Sequence, residues 1–427
     1  MRTFLATFLI TASALSLHGQ QIFPPDYHPL QSDDSSRFEI TAFGGYSAAS
    51  DAITNAFMRK LYLGGYIDTT LKENVYDRLR KDNRFGLDDE AGIYFRWTCP
   101  KQPDWSYFAS LRSRQHADGF FTGDGFRFAF SGNRPFAGKT IDASSTNFRM
   151  FSWKQVQGGA AYTRKTGNNG TVRLFGALSA YAGSSLLEVD LDRASLFTDS
   201  LAFFLDADAA YSIRQSDTAV TGFGAMNGAG GGIDLGIHVV IPAGDHDTVN
   251  KLFYSLSLHD IGWMHWNTNT LNRSADTSFH FEGYALNLDD LADSTINGFT
   301  VDTLKTVNEK KAYTHILPWW INSEYGYSYR GNLQKGSMST SLGIRFRNNG
   351  NMLPDFYLKQ SVDFGNRWKI SLDAGYGGYC RFHAGLDVQG VFAGGWLVRI
   401  GSNNIAGYLV PDKTTAQGAY LALGKRF

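Results

Sequence analysis

From the middle of the chain to its last residue, apolar and polar side chains alternate with a period of two, and the apolar set is largely branched or aromatic. Leu205, Ala207, Ala209, Tyr211 and Ile213 alternate with Asp206, Asp208, Ala210, Ser212 and Arg214. Ile233, Leu235, Ile237, Val239 and Ile241 enclose Asp234, Gly236 and His238, and Leu252, Tyr254, Leu256 and Leu258 enclose Ser255 and Ser257. The pattern returns at 338–346, 370–376 and 382–389. Strands of this kind have one wet and one dry face, a property shared by soluble sandwiches and barrels in lipid. Three features decide for the barrel. The N-terminus carries an export pattern, the strands run to about 10 residues, which crosses a bilayer at a tilt, and the last strand, 416–427, ends on the aromatic Phe427.

The export pattern consists of Met1 and Arg2, an apolar run over 4–17, and small or polar residues around Gly19 and Gln20. It predicts a signal peptide over 1–20 and a single outer-membrane β-barrel domain over 21–427. The run is too short to span a bilayer as a helix, and no later stretch reaches the roughly 18 to 20 apolar residues a spanning helix needs. No cysteine follows the run, which argues against lipid anchoring at the cleavage site. No Pro/Ser linker or charge block divides the 427 residues, and 40 acidic against 40 basic side chains leave no nucleic-acid footprint. The 15% aromatic content, 46 Gly and 10 Pro suit a half-polar barrel wall better than a deep soluble core.

The expected fold is all-β: a transmembrane antiparallel up-and-down β-barrel of about 14 to 16 strands with long extracellular loops. Earlier strands are expected at about 39–46, 91–97, 107–113, 126–130, 151–163 and 171–181. If the last strand runs towards the periplasm, the segments 403–415 and 348–353 fall outside, while the turns at 393–394, 365–367 and 331–335 fall inside. The long irregular stretch 267–318 then reads as an extracellular loop. Residues 51–89 read as non-strand, with Leu71, Val75 and Leu79 at helical spacing, and form either an external loop or a plug in the lumen, parity favouring the loop. The same parity puts Cys99 and Cys380 at opposite ends, far beyond the roughly 6 Å that a disulfide allows between Cα atoms, so two free thiols are expected.

The segments His259-Asp260-Ile261-Gly262-Trp263-Met264-His265-Trp266-Asn267, Ile400-Gly401-Ser402-Asn403-Asn404-Ile405, Gly424-Lys425-Arg426-Phe427 and Leu63-Gly64-Gly65-Tyr66-Ile67-Asp68 resemble an uncharacterised family of Bacteroidota outer-membrane β-barrels. That family is distantly similar to FadL-like fatty-acid transporters and to the shuttle barrel of the type IX secretion system. The resemblance spans most of the mature chain but lacks the Asn-Pro-Ala segment common near the start of such proteins. It implies a fold and an outer-membrane location in a Gram-negative bacterium, and little chemistry.

On the strand pattern, the lumen-facing polar candidates are Asp206, Asp208, Arg214, Asp234, His238, Arg345, Asp373, His383, Asp387 and Arg399. They form either a permeation path or a hydrogen-bonded filling of a polar interior, and their balanced signs give no selective field of the kind a dedicated anion or cation pore uses. Trp263, Trp266, Trp319 and Trp320 are candidates for the aromatic girdle at the outer rim, with Tyr325 or Tyr327 beside them, or for stacking on a ligand. Asp289, Asp290 and Asp293 lack the spacing of a calcium loop and read as a solvated acidic loop, so no metal site is expected. Ser257 and His259 share a strand face, as any i, i+2 pair does. There is no nucleophile elbow, zinc motif or phosphate-binding glycine loop, so neither catalytic residues nor a cofactor are expected.

Expected partners are outer-membrane lipid and the barrel-assembly machinery, which would read the terminal strand ending at Phe427, together with a small hydrophobic ligand or a lipoprotein partner. Two functions remain open. One is transport of a small molecule, with a hydrophobic one in view, across the outer membrane, favoured by an apolar lumen pocket or a lateral opening. The other is a non-catalytic assembly or secretion role, favoured by large ordered external loops over a sealed lumen.

Overall fold

The computed structural model describes residues 37–166, 170–201, 203–243, 250–282, 306–330, 336–348, 350–364 and 367–427. The signal pattern and the acidic run at Asp289, Asp290 and Asp293 lie outside the described residues, as do the turns at 331–335 and 365–366.

The described strands are, in chain order, β1 (Phe38–Ser50), β2 (Asp82–Thr98), β3 (Trp105–Thr122), β4 (Thr140–Asp142), β5 (Thr146–Thr166), β6 (Gly170–Thr198), β7 (Leu205–Gln215), β8 (Gly228–Pro242) and β9 (Lys251–Trp266). They continue as β10 (Leu271–Phe281), β11 (Val307–Lys310), β12 (Tyr313–Ile316), β13 (Trp320–Arg330), β14 (Ser337–Arg347) and β15 (Leu353–Phe364). β16 (Trp368–Gly378), β17 (Cys380–Val391), β18 (Trp396–Ser402) and β19 (Ala416–Arg426) complete the set. Fourteen of them, β1, β2, β3, β5, β6, β8, β9 and β13 to β19, form a closed antiparallel barrel. Closure is made by β1 and β19, paired from Glu39↔Arg426 to Ala49↔Ala416. The ring leaves no open edge, so every backbone group in the wall finds a partner without water.

The start of β1 meets the end of β19 at one end of the barrel, called the terminal end, where Arg37 and Phe38 donate to the Phe427 carbonyl at 3.1 and 3.4 Å. The outer wall is apolar: Leu178, for example, is 71% exposed, with Val156, Leu111, Leu342 and Leu372 around the same belt. Towards the terminal end the belt gives way to ring pairs, Trp97 on Tyr107, Trp105 on Tyr162 and Trp368 on Phe392, with centroids 5.7, 5.0 and 5.4 Å apart. This is the interfacial girdle an aromatic-rich wall is expected to build.

At the far end β6 continues past the ring. Its first half, from Thr171 to Gly183, pairs with β8, and its second, from Leu187 to Thr198, pairs with β7. β7 pairs in turn with β10, and β10 with β11. The result is a projecting sheet with on the order of 40 Å of strand beyond the wall. The alternation at 205–213 therefore belongs to this extension, not to the barrel.

Other expectations are corrected too. Within 267–318, the described residues are largely strand, as β10, β11 and β12, and 283–305 lie outside the described residues. In β10 Ala275, Phe279 and Phe281 do alternate with Asp276, Ser278 and His280, a short strand pattern in an otherwise polar stretch. Residues 126–130 form no strand. They lie in a helix, Gly123–Ser131, whose start is capped by the Thr122 hydroxyl accepting from Gly125 N at 3.1 Å. Phe126, Phe128 and Phe130 satisfy both periods at once, and Phe126 over Phe130 at 4.6 Å is a helical i, i+4 contact. Within 51–89, helices Asn55–Leu63 and Thr69–Tyr76 precede β2, so Asp82 to Asp89 are strand after all. There acidic residues fall on both faces and hide the period.

These three helices, named α1 (Asn55–Leu63), α2 (Thr69–Tyr76) and α3 (Gly123–Ser131), share an apolar cluster around Phe57, Met58, Val75 and Phe126. At the far end they pack on Ala48, Leu87 and Phe121 of β1, β2 and β3, the face opposite the lumen groups. Cys99 lies beyond β2 at the terminal end and Cys380 opens β17 at the far end, and both are free thiols.

Candidate functional site

The barrel interior is crossed by ion pairs. Arg347 on β14 reaches Asp88 on β2 at 2.6 Å, and His116 Nδ1 on β3 lies 2.8 Å from the same Asp88 oxygen. β14 is the seventh strand from β2 in either direction round the ring of fourteen, so this strut spans the lumen. A second strut joins Arg114 on β3 to Asp260 on β9 at 2.6 Å, with Glu90 Oε2 at 3.8 Å from the Arg114 Nε. Nearer the terminal end, Glu39 holds Arg96 and Arg426 at 3.2 and 3.0 Å. All these acids are buried.

Of the predicted lumen residues, the structure gathers several. Asp234 lies 3.2 Å from His259 Nδ1 and accepts from Gln157 at 2.8 Å and from Asp260 N at 2.9 Å. His238 faces the lumen one pleat below, 2.6 Å from the Ser255 hydroxyl. His383, Arg345 and Asp373 meet around Asp355, with His383 Nε2 2.9 Å from Asp355, Arg345 3.7 Å from it, and His383 Nδ1 3.6 Å from Asp373. Arg399 Nε donates to Asp387 at 2.7 Å, and the Tyr420 hydroxyl bonds to the same carboxylate. Three candidates belong elsewhere. Asp206 and Asp208 sit on the projecting sheet, paired with His280 and Arg193, while Arg214 bonds Glu188 at its base at 3.2 Å. Their alternation is genuine but faces water on a sheet outside the wall.

The four tryptophans divide in pairs. Trp263 points outward and Trp319 packs on Phe346 at 6.3 Å. Trp266 and Trp320 are no rim residues: Trp266 is fully buried against Met264, Trp153, Tyr181 and Leu317, and Trp320 stacks on His259 at 4.1 Å. The cause is a bulge in β9. Ile233 pairs with Ile261 but Leu235 with Leu258, so Asp234 opposes both His259 and Asp260, and Asp260 adopts φ 59°. The extra residue reverses the parity of the strand beyond it. Asp is among the few residues that tolerate a left-handed backbone, which is the one local signal in the sequence.

Sequence reasoning missed Asp88, Glu90, Arg114, His116, Arg347 and Asp355, all buried lumen groups. Most come from β2 and β3: on β2 the run Asp88-Asp89-Glu90 hides which charges face inward, whereas on β3 Arg112, Arg114, His116 and Asp118 recur at every second position, a signal that could have found them. Ser257 and His259 do face the lumen, but His259 is held between Asp234 and Trp320. Among the described residues no group of His, Cys, Asp and Glu is arranged to hold a metal ion.

At the far end the β16–β17 hairpin turns inward. Gly377 and Gly378 take φ 131° and 64°, and the next residue, Tyr379, is 1% exposed. Its ring lies so close to Gly86 on β2 that a Cβ there would sit 2.2 Å from it. Tyr379 borders a space on either side. Outside it is a cavity of about 130 Å³ lined by Asp51, Arg80, Asp82, Arg84, Leu353, Tyr376 and Arg381. On the lumen side is one of about 30 Å³ reaching Arg345, Asp355 and His383.

Residues 37–392 match the family described as "Family of unknown function (DUF5723)". No curated protein matches. Among solved structures, a TodX deltaS2S3 mutant monoaromatic hydrocarbon channel is similar at 8% identity, with 94% of this chain and 93% of that one covered and a TM-score of 0.48. The P. putida toluene transporter TodX gives 10% identity, 93% and 91% coverage and a TM-score of 0.44. The translocator domain of the autotransporter NalP from Neisseria meningitidis gives 8%, 100% and 96%, and 0.33. At these scores the functional reading rests on the barrel's own geometry.

Proposed function

We propose that this chain, which belongs to the DUF5723 family of unknown function, is an outer-membrane transport barrel, described here with its lumen closed. The observation that carries the reading is Tyr379, buried against Gly86 as a septum with a cavity on each face. A barrel that served only as a scaffold has no need of a hairpin tip, Gly377 to Cys380, set between an outer vestibule and an inner cavity with Tyr379 as its one bulky side chain. The apolar belt and aromatic girdle supply the membrane fit, with the terminal end facing the periplasm and residues 1–20 directing export. The groups beyond the septum are Arg345, Asp355, Asp373 and His383, followed by Asp387 and Arg399, so the solute is small and polar or charged rather than wholly hydrophobic. No catalytic role is assigned. Liposomes carrying the refolded protein should swell slowly in an isotonic small solute, and Tyr379→Ala should accelerate swelling several-fold. Equal rates for the two proteins would remove the septum from the transport reading.

The projecting sheet supports a second reading, the assembly role. It is an ordered sheet at the far end of the barrel, and it exposes Leu201 and Phe203. A deletion of β7 and β10 that abolishes solute passage while the barrel still folds would favour transport regulated by that sheet. Passage unchanged by the deletion would leave the sheet free for a protein partner.

A further inference from the structure

We infer that the vestibule outside Tyr379 is a binding site for a small organic carboxylate, a short apolar or aromatic body with one anionic head. The inference deepens the transport reading and rests on it for the ligand's destination, though not for binding itself.

The cavity's charged lining residues are three arginines, Arg80, Arg84 and Arg381, against two aspartates, Asp51 and Asp82. Asp51 is already engaged. It accepts from Arg84 N at 2.8 Å and lies 4.0 Å from Arg381, and burial pushes its carboxyl above the ordinary range, opposed by those two contacts. The Arg84 guanidinium stacks over Phe120 at 5.7 Å, which fixes its plane without neutralising its charge. Arg381 is the extra residue of a bulge: Tyr376 pairs with Phe382 but Gly377 with Cys380. The bulge turns it from the wall towards the mouth. The site therefore carries a surplus of positive charge in planar, multi-donor form, which suits an oxyanion better than an ammonium or a neutral polar group.

The remaining lining is Leu353, Tyr376 and the hairpin tip from Gly377 to Cys380, apolar or aromatic surface next to the charged groups. A free inorganic anion would leave that surface bare, whereas a carboxylate on a short ring or chain would cover it. A volume of about 130 Å³ holds several waters or one small ligand, and neither a long acyl chain nor a peptide fits. Across the septum the next cation is Arg345, which lines the inner cavity. An anion released by the vestibule when Tyr379 moves therefore meets a second guanidinium.

The test uses the full refolded barrel in detergent, titrated calorimetrically with benzoate, with its neutral isostere benzamide, and with inorganic phosphate. Benzoate should saturate with an affinity at least tenfold above that of benzamide and of phosphate. Arg84→Gln and Arg381→Gln should each weaken it about tenfold while keeping the heat-modifiable gel mobility of a folded barrel. Equal binding of benzoate and benzamide, tighter binding of phosphate, no benzoate heat, or benzoate affinity unchanged in both variants would each overturn the assignment. Tyr379→Ala separates the two ideas. Benzoate binding that persists in the wild type while Tyr379→Ala liposomes fail to swell would retain the vestibule and remove the transport reading. Swelling without benzoate binding would do the reverse.

Discussion

Arg347 shows what a single side chain does in this interior. Its guanidinium sits between Asp88 and His116 on the opposite wall, so Arg347→Ala leaves a buried carboxylate without its strongest partner. Removing one member of a buried pair costs about 3–5 kcal/mol. The expected result is a clearly lower temperature for loss of the folded, fast-migrating form on unheated gels; a variant as resistant as the wild type would show that the strut is solvated. His280 on the projecting sheet gives a pH signature. Hydrogen bonds to Asp206 and then to Glu282 hold its imidazolium, so its pKa is raised above the usual value. The pairing is present at and below the ordinary imidazole range and is lost as pH rises through the raised folded value. An NMR titration should place His280 above a free histidine, and Asp206→Asn should bring it back down; a midpoint that does not move would exclude the pair.

At the scale of elements, the inward hairpin of β16 and β17 depends on Gly86 having no side chain. Gly86→Leu should displace Tyr379 and uncover its neighbour Cys380, which is 7% exposed. In a Cys99→Ser background, maleimide labelling of Cys380 should be slow for Gly86 and faster by an order of magnitude or more for Leu; equal rates would mean the hairpin does not lean on β2. The same elements show how far the sequence speaks. Strands β8, β14, β16 and β17 were legible because one face is lipid and the other polar, so the alternation is clean. β2 and α3 were not, since charges on both faces of Asp82 to Glu90 blur the period and the Phe-x-Phe-x-Phe run of 126–130 fits helix and strand alike. The lumen clusters around Asp234, His383 and Asp387 could be seen as inward-facing residues. The Arg347–Asp88 strut could not, because no local pattern says which strands face each other across a ring. Trp266 and Trp320 were misplaced by the β9 bulge and by the inward step at Leu317, each of which resets direction with a single residue.

Across the whole molecule, the described residues form a closed ring of fourteen strands, with three helices packed on β1 to β3 and the sheet built on β6 extending it on one side. Closure involves the last residue: Phe427 both donates to and accepts from the start of β1 and packs on Phe38 at 5.8 Å. Deleting Phe427 should therefore lower the yield of folded, heat-modifiable barrel on refolding; a wild-type yield would show that closure does not depend on these contacts. With the struts of Arg347 and Arg114 across the middle and Tyr379 at the mouth, the ring should carry almost no steady current as it stands. The decisive measurement is single-channel conductance in a planar bilayer for the wild type and for Tyr379→Ala, both checked for heat-modifiable mobility. A silent or briefly flickering wild type and a variant with frequent, resolved openings is the predicted result, whereas a steady open current through the wild type, or silence in both, would contradict a barrel gated at Tyr379.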